Sequence, residues 1–189
     1  MTAETKLRGI TLLHPWAWAV ACAGKDIENR RMRPEARGGH IGMYLAIHGG
    51  VVPGPNSGKR EEFRMDLAAA LQLAGRVPEV GVRGLNALEM GRRVEGEERY
   101  ILPGIVAVAR LAGVTQSSAS RWAARGQYHW QLADVVTLPE PVPHKGAQGL
   151  WALDEDKLKT VRALYRAGLK AQRSTTSTTR EQGQKQVQP

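Results

Sequence analysis

The chain has 189 residues, with 27 lysines and arginines against 18 aspartates and glutamates, and its formal net charge is +9. This length is enough for one domain with a self-sufficient core, and the single cysteine excludes an intrachain disulfide framework. No stretch has the apolar length of a signal peptide or a membrane-spanning helix, so we expect a cytoplasmic protein without a membrane partner. The positive charge points first to a polyanion, with a basic surface kept for solubility as the alternative.

Two tryptophans mark the first predicted helix. RGITLL (8–13) is a β-rich run, and Pro15 follows where a first helical residue tolerates proline. The apolar residues after it recur at helical spacing as far as Gly24, a typical helix stop. Trp16 and Trp18 would lie about 200° apart on this helix, so they cannot share a face. We expect one indole in the core and the other against neighbouring chain or a ligand.

Two strands follow. DIENR (26–30) alternates so that a strand presents Glu28 and Arg30 on one side, which is not a hydrophobic core. HIGMYLAIH (40–48) alternates apolar residues with a second, polar-capable face that ends at His48.

A polar, helical insertion occupies about residues 50–100. Beyond it, LPGIVAVARLAGV (102–114) and QYHWQLADVVTL (127–138) are predicted strands. Large aromatic residues in such strands commonly anchor the core, and we expect this of Trp130 and Trp151.

The last quarter of the chain begins with PEPVPHKGAQG (139–149), whose three prolines and two glycines predict an extended loop. GLWAL closes the β set, and an amphipathic helix runs from Asp154 to about Lys170. The Ser/Thr/Gln-rich end is too polar to repay the entropy of ordering. The pattern predicts one domain over 1–172 and a disordered tail over 173–189.

Five to six short strands with few helices predict an α+β protein built on a small barrel or strongly bent sheet, not a doubly wound fold. Periodicity alone goes no further. The segments HPWAWAV, GKDIENR and IH in the first half, with YHW and PVPHKGAQGLW in the second, resemble the ASCH family over roughly 9–49 and 102–154. The resemblance implies a PUA-like β-barrel with flanking helices, in which a cleft beside the first helix binds RNA or a modified nucleotide. It implies nothing about the insertion.

In such a barrel the first helix and the charged strand form two sides of one cleft, which would bring an aromatic surface and hydrogen-bonding charge onto the same base. The candidate ligand-binding residues are Trp16, Lys25, Glu28, Arg30, His48, Lys145 and Gln148.

Each candidate also has a purely structural interpretation. Lys25 could be a solvated surface lysine, and Glu28 could pair with Arg30 or Arg31. Trp16 could be ordinary core, and His48 could cap backbone groups at a strand end.

The other polar candidates have similar alternatives. Lys145 and Gln148 lie in a predicted loop, where polar residues are common for any reason. Asn29 is expected to hold a turn or core hydrogen bond. The five histidines show no metal-binding spacing, so neither a metal nor another cofactor is predicted.

An enzyme is the alternative function, because some ASCH members are amidohydrolases acting on acetylcytidine and others are proposed ribonucleases. Lys25 matches the lysine of the amidohydrolase motif, and Lys25 with Glu28 would form the candidate acid/base pair. Glu28, however, stands where that motif has threonine, and the family's distant glutamate has no assigned counterpart here. A third possibility is a scaffold that docks a partner protein through the 50–100 insertion.

Overall fold

The computed structural model describes the backbone of residues 7–185 and the side chains of residues 7–174. Over this range the strands are β1 (Leu7–Leu12), β2 (Ile27–Arg30), β3 (Tyr44–Gly49), β4 (Gly104–Thr115), β5 (Tyr128–Val142) and β6 (Leu150–Trp151). The α-helices are α1 (Trp16–Cys22), α2 (Gly58–Ala74), α3 (Gly81–Glu89) and α4 (Glu155–Lys185). Short 3-10 turns lie at Pro34–Arg37, Val77–Glu79 and Glu97–Tyr100.

The strands form one mixed sheet in the order β2-β5-β4-β3-β1-β6. β1 pairs with β3 in parallel, and the other neighbours are antiparallel. Irregular register in the β3–β4 and β4–β5 pairs bends the strands, and the sheet curls into a half-barrel. The α+β class and the barrel-like sheet predicted from the sequence are therefore confirmed.

The sheet is covered on both faces because successive strand residues point to opposite sides. In β3, Leu45 packs in the cluster with α1, whereas the next residue, Ala46, packs in the cluster that contains Val161 and Tyr165 of α4. Trp130 and Trp151 are 3% and 8% exposed, so the prediction that both are core anchors is confirmed.

The insertion is part of the hydrophobic core. Phe63 and Leu67 of α2 share a buried cluster with Trp18 of α1, Ile27 of β2 and Trp122 of the β4–β5 loop.

Across residues 7–185, every helix is too short or too polar to cross a lipid bilayer.

The proline-rich segment corrects one prediction, since part of 139–149 is strand rather than loop. β5 continues through Pro139 and Pro141 to Val142. β2 pairs with β5 over Tyr128–Gln131, so the later half of β5 is free of β2 and pairs with β4 on its other side. Proline is tolerated there because an edge position needs no N–H donor. The loop itself is 143–149.

Two element boundaries also differ from the prediction. β3 begins at Tyr44, after Gly42 takes a φ of 91°, and Ile41 is 52% exposed instead of buried. The backbone of α4 is helical through Lys185, which covers 173–185 of the predicted disordered tail. A helix that has formed adds residues at little cost per residue, so polarity alone does not end it. Residues 186–189 lie outside the described residues, and the domain limit at 172 stays a prediction.

Candidate ligand-binding site

The turn after α1 places Lys25 at the start of the charged strand. Gly24 has a φ of 71°, and the Lys25 N–H donates to the Ala19 carbonyl at 3.0 Å, which is a typical helix C-terminal motif. β2 then pairs with β5, and Glu28 lies opposite Trp130. The sequence GKDIENR thus enters the sheet edge directly after the tryptophan helix.

Lys25 is a buried cation, with 3% of its side chain exposed. Its Nζ donates to the Ile27 carbonyl and to Glu28 Oε2, the latter at 3.1 Å. Nζ also lies 5.9 Å from the ring centroid of Trp16. A buried ammonium is stable where such partners compensate its lost hydration. The alternative of a solvated surface lysine is therefore wrong.

Glu28 connects two cations. Its Oε2 faces Lys25, and its Oε1 lies 2.9 Å from Arg30 Nε, an ion pair whose angle does not make a hydrogen bond. Arg30 Nη2 donates to the Thr11 carbonyl at 3.3 Å. The result is a chain of alternating charge along β2, running from Lys25 through Glu28 to Arg30.

The two helix tryptophans have different environments, as the helical geometry predicted. Trp18 is 5% exposed and packs edge-on against Tyr100, with ring centroids 4.8 Å apart. Trp16 is half-buried, and its Nε1 donates to Asp66 Oδ2 at 3.1 Å. Burial raises the pKa of Asp66, the bond from Trp16 opposes this rise, and nearby Glu62 adds to it. This bond to α2 holds the Trp16 indole in place.

Trp16, Lys25 and Glu28 line a cavity of about 360 Å³, here called the small cleft. Its other lining residues come from α2, β2 and the β4–β5 loop: Asn29, Leu73, Arg121, Trp122, Ala123, Ala124 and Gln127. The small cleft therefore combines two indoles with a buried lysine–carboxylate pair.

Asn29 holds the β4–β5 loop against β2. Its Nδ2 donates to the Trp122 carbonyl at 2.8 Å, and its Oδ1 accepts from the Ala124 N–H at 2.9 Å. His129 Nε2 lies 2.8 Å from the Ala124 carbonyl and so binds the same loop. The structural role expected for Asn29 is confirmed.

A second and larger cavity of about 960 Å³, here called the large cleft, is also lined by Asn29. Four predicted site residues line it: Arg30, His48, Lys145 and Gln148. Its apolar lining is supplied by Ile10, Leu13, Met32, Val51, Pro103 and Trp130. Asn29 and Gln127 line both clefts, which therefore adjoin along β2.

The large cleft is cationic. Arg30, Arg31, Arg37 and Lys145 line it, and among the described residues no aspartate or glutamate does. Arg31, Arg37 and Lys145 are exposed, so their charges face solvent and can reach a ligand. The charge of Arg30, by contrast, is compensated by Glu28, which lines the small cleft. An uncompensated cationic lining favours an anionic ligand.

Two histidines, His48 and His144, form one wall of the large cleft. His48 is 3% exposed, and its Nε2 lies 2.9 Å from the His144 carbonyl, so this nitrogen donates. The His144 ring stacks on Trp151, with centroids 4.4 Å apart and an interplanar angle of 9°. Burial lowers the pKa of His48, the bond to the His144 carbonyl opposes this, and the His144 ring adds to the lowering. His48 thus caps a backbone carbonyl, as its structural interpretation from the sequence proposed.

Gly146 brings the 143–149 loop close to this wall. A Cβ at this position would lie 2.6 Å from Thr11 Oγ1 and 2.6 Å from His48 Cε1. Since side chains do not tolerate such distances, glycine lets the loop close over the strand ends and fixes where Lys145 and Gln148 lie.

The predicted site residues therefore divide between two adjoining clefts instead of lining one. Sequence reasoning missed Arg31, Arg37, Gln127, Arg121, Trp122 and His144. Arg31 and Arg37 lie in the arginine-rich segment that starts at Arg30, and this segment was the available signal for them. Nothing local marks the other four as neighbours of β2. Among residues 7–174, no group of three or more potential metal ligands is clustered.

No family model matches the chain, and no curated protein matches its sequence.

Proposed function

We propose that the protein binds single-stranded RNA, or a modified nucleotide within it, and that it is an ASCH-family protein with a PUA-like β-barrel. The observation that carries the binding proposal is the large cleft, a cavity of about 960 Å³ with four cationic residues and an apolar lining. Among its described lining residues there is no carboxylate. Phosphate contacts supply most of the affinity of such a surface, and apolar or aromatic groups take the bases. The family proposal is supported by the motifs, because Trp16 of HPWAWAV lines the small cleft together with Lys25, Glu28 and Asn29 of GKDIENR.

The test is binding of a labelled oligouridylate, measured by fluorescence anisotropy over a salt series. Each phosphate contact contributes about 0.7 to the slope of log affinity against log salt for a single strand. We expect the double variant Arg37→Ala, Lys145→Ala to reduce that slope by about 1.4. Arg83→Ala with Arg92→Ala removes the same charge at exposed positions outside both clefts and is the matched control. Salt-independent binding, or equal slopes for the two double variants, contradicts the proposal.

A second candidate function, hydrolysis of a modified nucleoside such as acetylcytidine, is favoured by the small cleft. Lys25 Nζ and Glu28 Oε2 lie 3.1 Å apart in a cavity that also has Trp16 as a wall. A lysine and a carboxylate in contact can move a proton between them and a substrate. The structure also places the pair in contact with Arg30 and the Ile27 carbonyl, so a substrate would have to compete for these groups.

Incubation with acetylcytidine and chromatography for cytidine tests this candidate. Turnover that disappears in both Lys25→Ala and Glu28→Gln, each checked for native circular dichroism, supports it. No cytidine at high enzyme concentration removes it and leaves the binding proposal unaffected.

A further inference from the structure

We propose that the two clefts are one continuous site for a single-stranded oligonucleotide, with one nucleoside in the small cleft and the adjoining phosphodiester units in the large cleft. This inference rests on the proposed function and specifies its ligand: a strand of at least two nucleotides, not a free nucleoside or mononucleotide.

The shared wall is the first support. Asn29 and Gln127 line both clefts. On either side of Asn29, Glu28 lines the small cleft and Arg30 lines the large one, and their ion pair of 2.9 Å crosses between them. Residues two apart on a strand are separated by about 7 Å, a distance comparable with one nucleotide of an extended strand. An oligonucleotide strand that leaves one cleft would therefore enter the other within the length of one nucleotide.

The two clefts also differ in chemistry in the way that a nucleotide strand requires. The small cleft has the indoles of Trp16 and Trp122, its lysine is paired with Glu28, and the one exposed cation among its described lining residues, Arg121, donates to the Leu73 carbonyl. The large cleft has three exposed cations, Arg31, Arg37 and Lys145, without a carboxylate among its described lining residues. Bases stack on aromatic side chains, whereas phosphates need uncompensated positive charge.

Size gives the third support. Ligand pockets typically measure about 300–1,000 Å³. The small cleft, at about 360 Å³, is near the lower limit and fits a single nucleoside. The large cleft, at about 960 Å³, is near the upper limit and is larger than one nucleotide needs. A mononucleotide would leave one of the two empty.

Asn29, which lines both clefts, is held in a fixed position. Both polar atoms of the Asn29 amide are bonded to the β4–β5 loop, at 2.8 Å and 2.9 Å, and Asn29 itself is in the β2–β5 ladder opposite His129. Because the two subsites are held at a fixed distance, a ligand that occupies both gains affinity without a further ordering cost in the protein.

Length dependence of binding tests the inference on the unmodified protein. Uridine monophosphate, the dinucleotide pUpU and the tetranucleotide compete with a labelled oligouridylate at constant salt. We expect pUpU and the tetranucleotide to bind at least about tenfold more tightly than the mononucleotide, since the second subsite adds a stacked base.

A filling substitution identifies the small cleft as the second subsite. Ala123 lines the small cleft, so Ala123→Leu reduces its volume, and Ala152→Leu is the matched control at an exposed position outside both clefts. We expect uridine monophosphate to bind in the large cleft alone, through its phosphate on the cationic residues and its base on the apolar lining. Ala123→Leu should therefore lose the length dependence while its mononucleotide affinity stays that of the control.

Equal affinity at all lengths in the unmodified protein, or unchanged length dependence in a folded Ala123→Leu variant, overturns the inference and leaves the proposed function standing. Absence of binding to every oligonucleotide overturns the proposed function and the inference with it. The length series needs no variant, so the inference can fail or succeed even if Ala123→Leu does not fold.

Discussion

Glu28 is the shared counter-ion of Lys25 and Arg30, and its carboxylate lies 3.1 Å and 2.9 Å from their nitrogens. Glu28→Gln keeps the size of the side chain and removes its charge, so Lys25 would keep a buried charge with the Ile27 carbonyl as its remaining close partner. We expect the free energy of unfolding to fall by about 3–5 kcal/mol, because breaking a buried ion pair leaves one charge uncompensated. Urea denaturation followed by tryptophan fluorescence measures it.

The control for this prediction is Glu35→Gln. Glu35 pairs with Arg33 at 3.4 Å, but the two side chains are 49% and 54% exposed. Solvent screens such a pair, and we expect a loss below about 1 kcal/mol. Similar losses for Glu28→Gln and Glu35→Gln would show that burial of the Lys25 pair contributes nothing.

Buried histidines make stability depend on pH as the pH falls through the ordinary histidine value of 6.5. Burial lowers the pKa of both His14 and His48 below the ordinary value of 6.5, although each bonds a backbone carbonyl that opposes the change. Below that value the unfolded chain binds more protons than the folded protein does. The free energy of unfolding therefore falls as pH decreases, by at most about 1.4 kcal/mol per pH unit for each histidine.

Urea denaturation at several pH values checks this expectation. The double variant His14→Gln, His48→Gln should have a shallower slope of stability against pH than the wild type. His40→Gln, at an exposed histidine, is the control and should keep the wild-type slope. A double variant with the wild-type slope would assign the pH dependence to other groups.

At the scale of elements, one carboxylate joins α2 to the 3-10 turn Glu97–Tyr100. The Glu97 side chain is 0% exposed and lies 2.8 Å from Arg60 Nη2 and 3.0 Å from Arg64 Nε. Burial alone would raise the pKa of Glu97, but the hydrogen bonds from Arg64, the Val94 N–H and Arg60 prevail, so the pKa is below its ordinary value. We expect Glu97→Gln to cost about 3–5 kcal/mol of unfolding free energy.

The neighbouring Glu98 provides the control. It lies 3.1 Å from Arg60 Nη2 but is 55% exposed, so Glu98→Gln should cost less than about 1 kcal/mol. The stabilisation from Glu97 is present above the ordinary glutamate value of 4.5 and is lost as pH falls through its lower folded pKa. The loss from Glu97 begins near pH 4.5, whereas the histidine effect begins near pH 6.5, so the two effects differ in their onset. Equal costs for the two variants would contradict a structural role for Glu97.

At the scale of the whole molecule, the insertion cannot be treated as a detachable module. Its residues Phe63 and Leu67 share a buried cluster with Trp18, Ile27 and Trp122. We expect deletion of residues 51–101 to expose this cluster, abolish cooperative unfolding and increase binding of a hydrophobic dye. A deleted protein that unfolds cooperatively would show that the rest of the chain folds alone.

For this reason, deletion does not test the hypothesis of a protein scaffold, and surface substitutions are needed. Val82 and Met90 are 70% and 67% exposed on the insertion. A docking surface there would lose its partner in Val82→Ser, Met90→Ser, while the salt-dependent binding of oligouridylate should be the same as in the wild type.

Sequence alone determined the order of strands and helices along the chain, the core positions of Trp130 and Trp151, and the different environments of Trp16 and Trp18. Each follows from local rules, namely hydrophobic periodicity, turn residues and the angle between neighbours on a helix. Tertiary structure decided where β5 ends. Its prolines are tolerated because β2 does not pair with that part of β5, and no local sequence pattern encodes which strands pair.

Tertiary structure also decided that the candidate residues divide between two clefts. Lys25 and Arg30 are five positions apart, yet they line different cavities. Asn29, which lines both cavities, binds a loop more than 90 residues later. The large cleft likewise joins Arg30, His48 and Lys145 through strand pairing and through the close approach of Gly146 to Thr11. Contacts between distant segments depend on which strands pair, and this is set by the packing of the whole sheet rather than by any one segment.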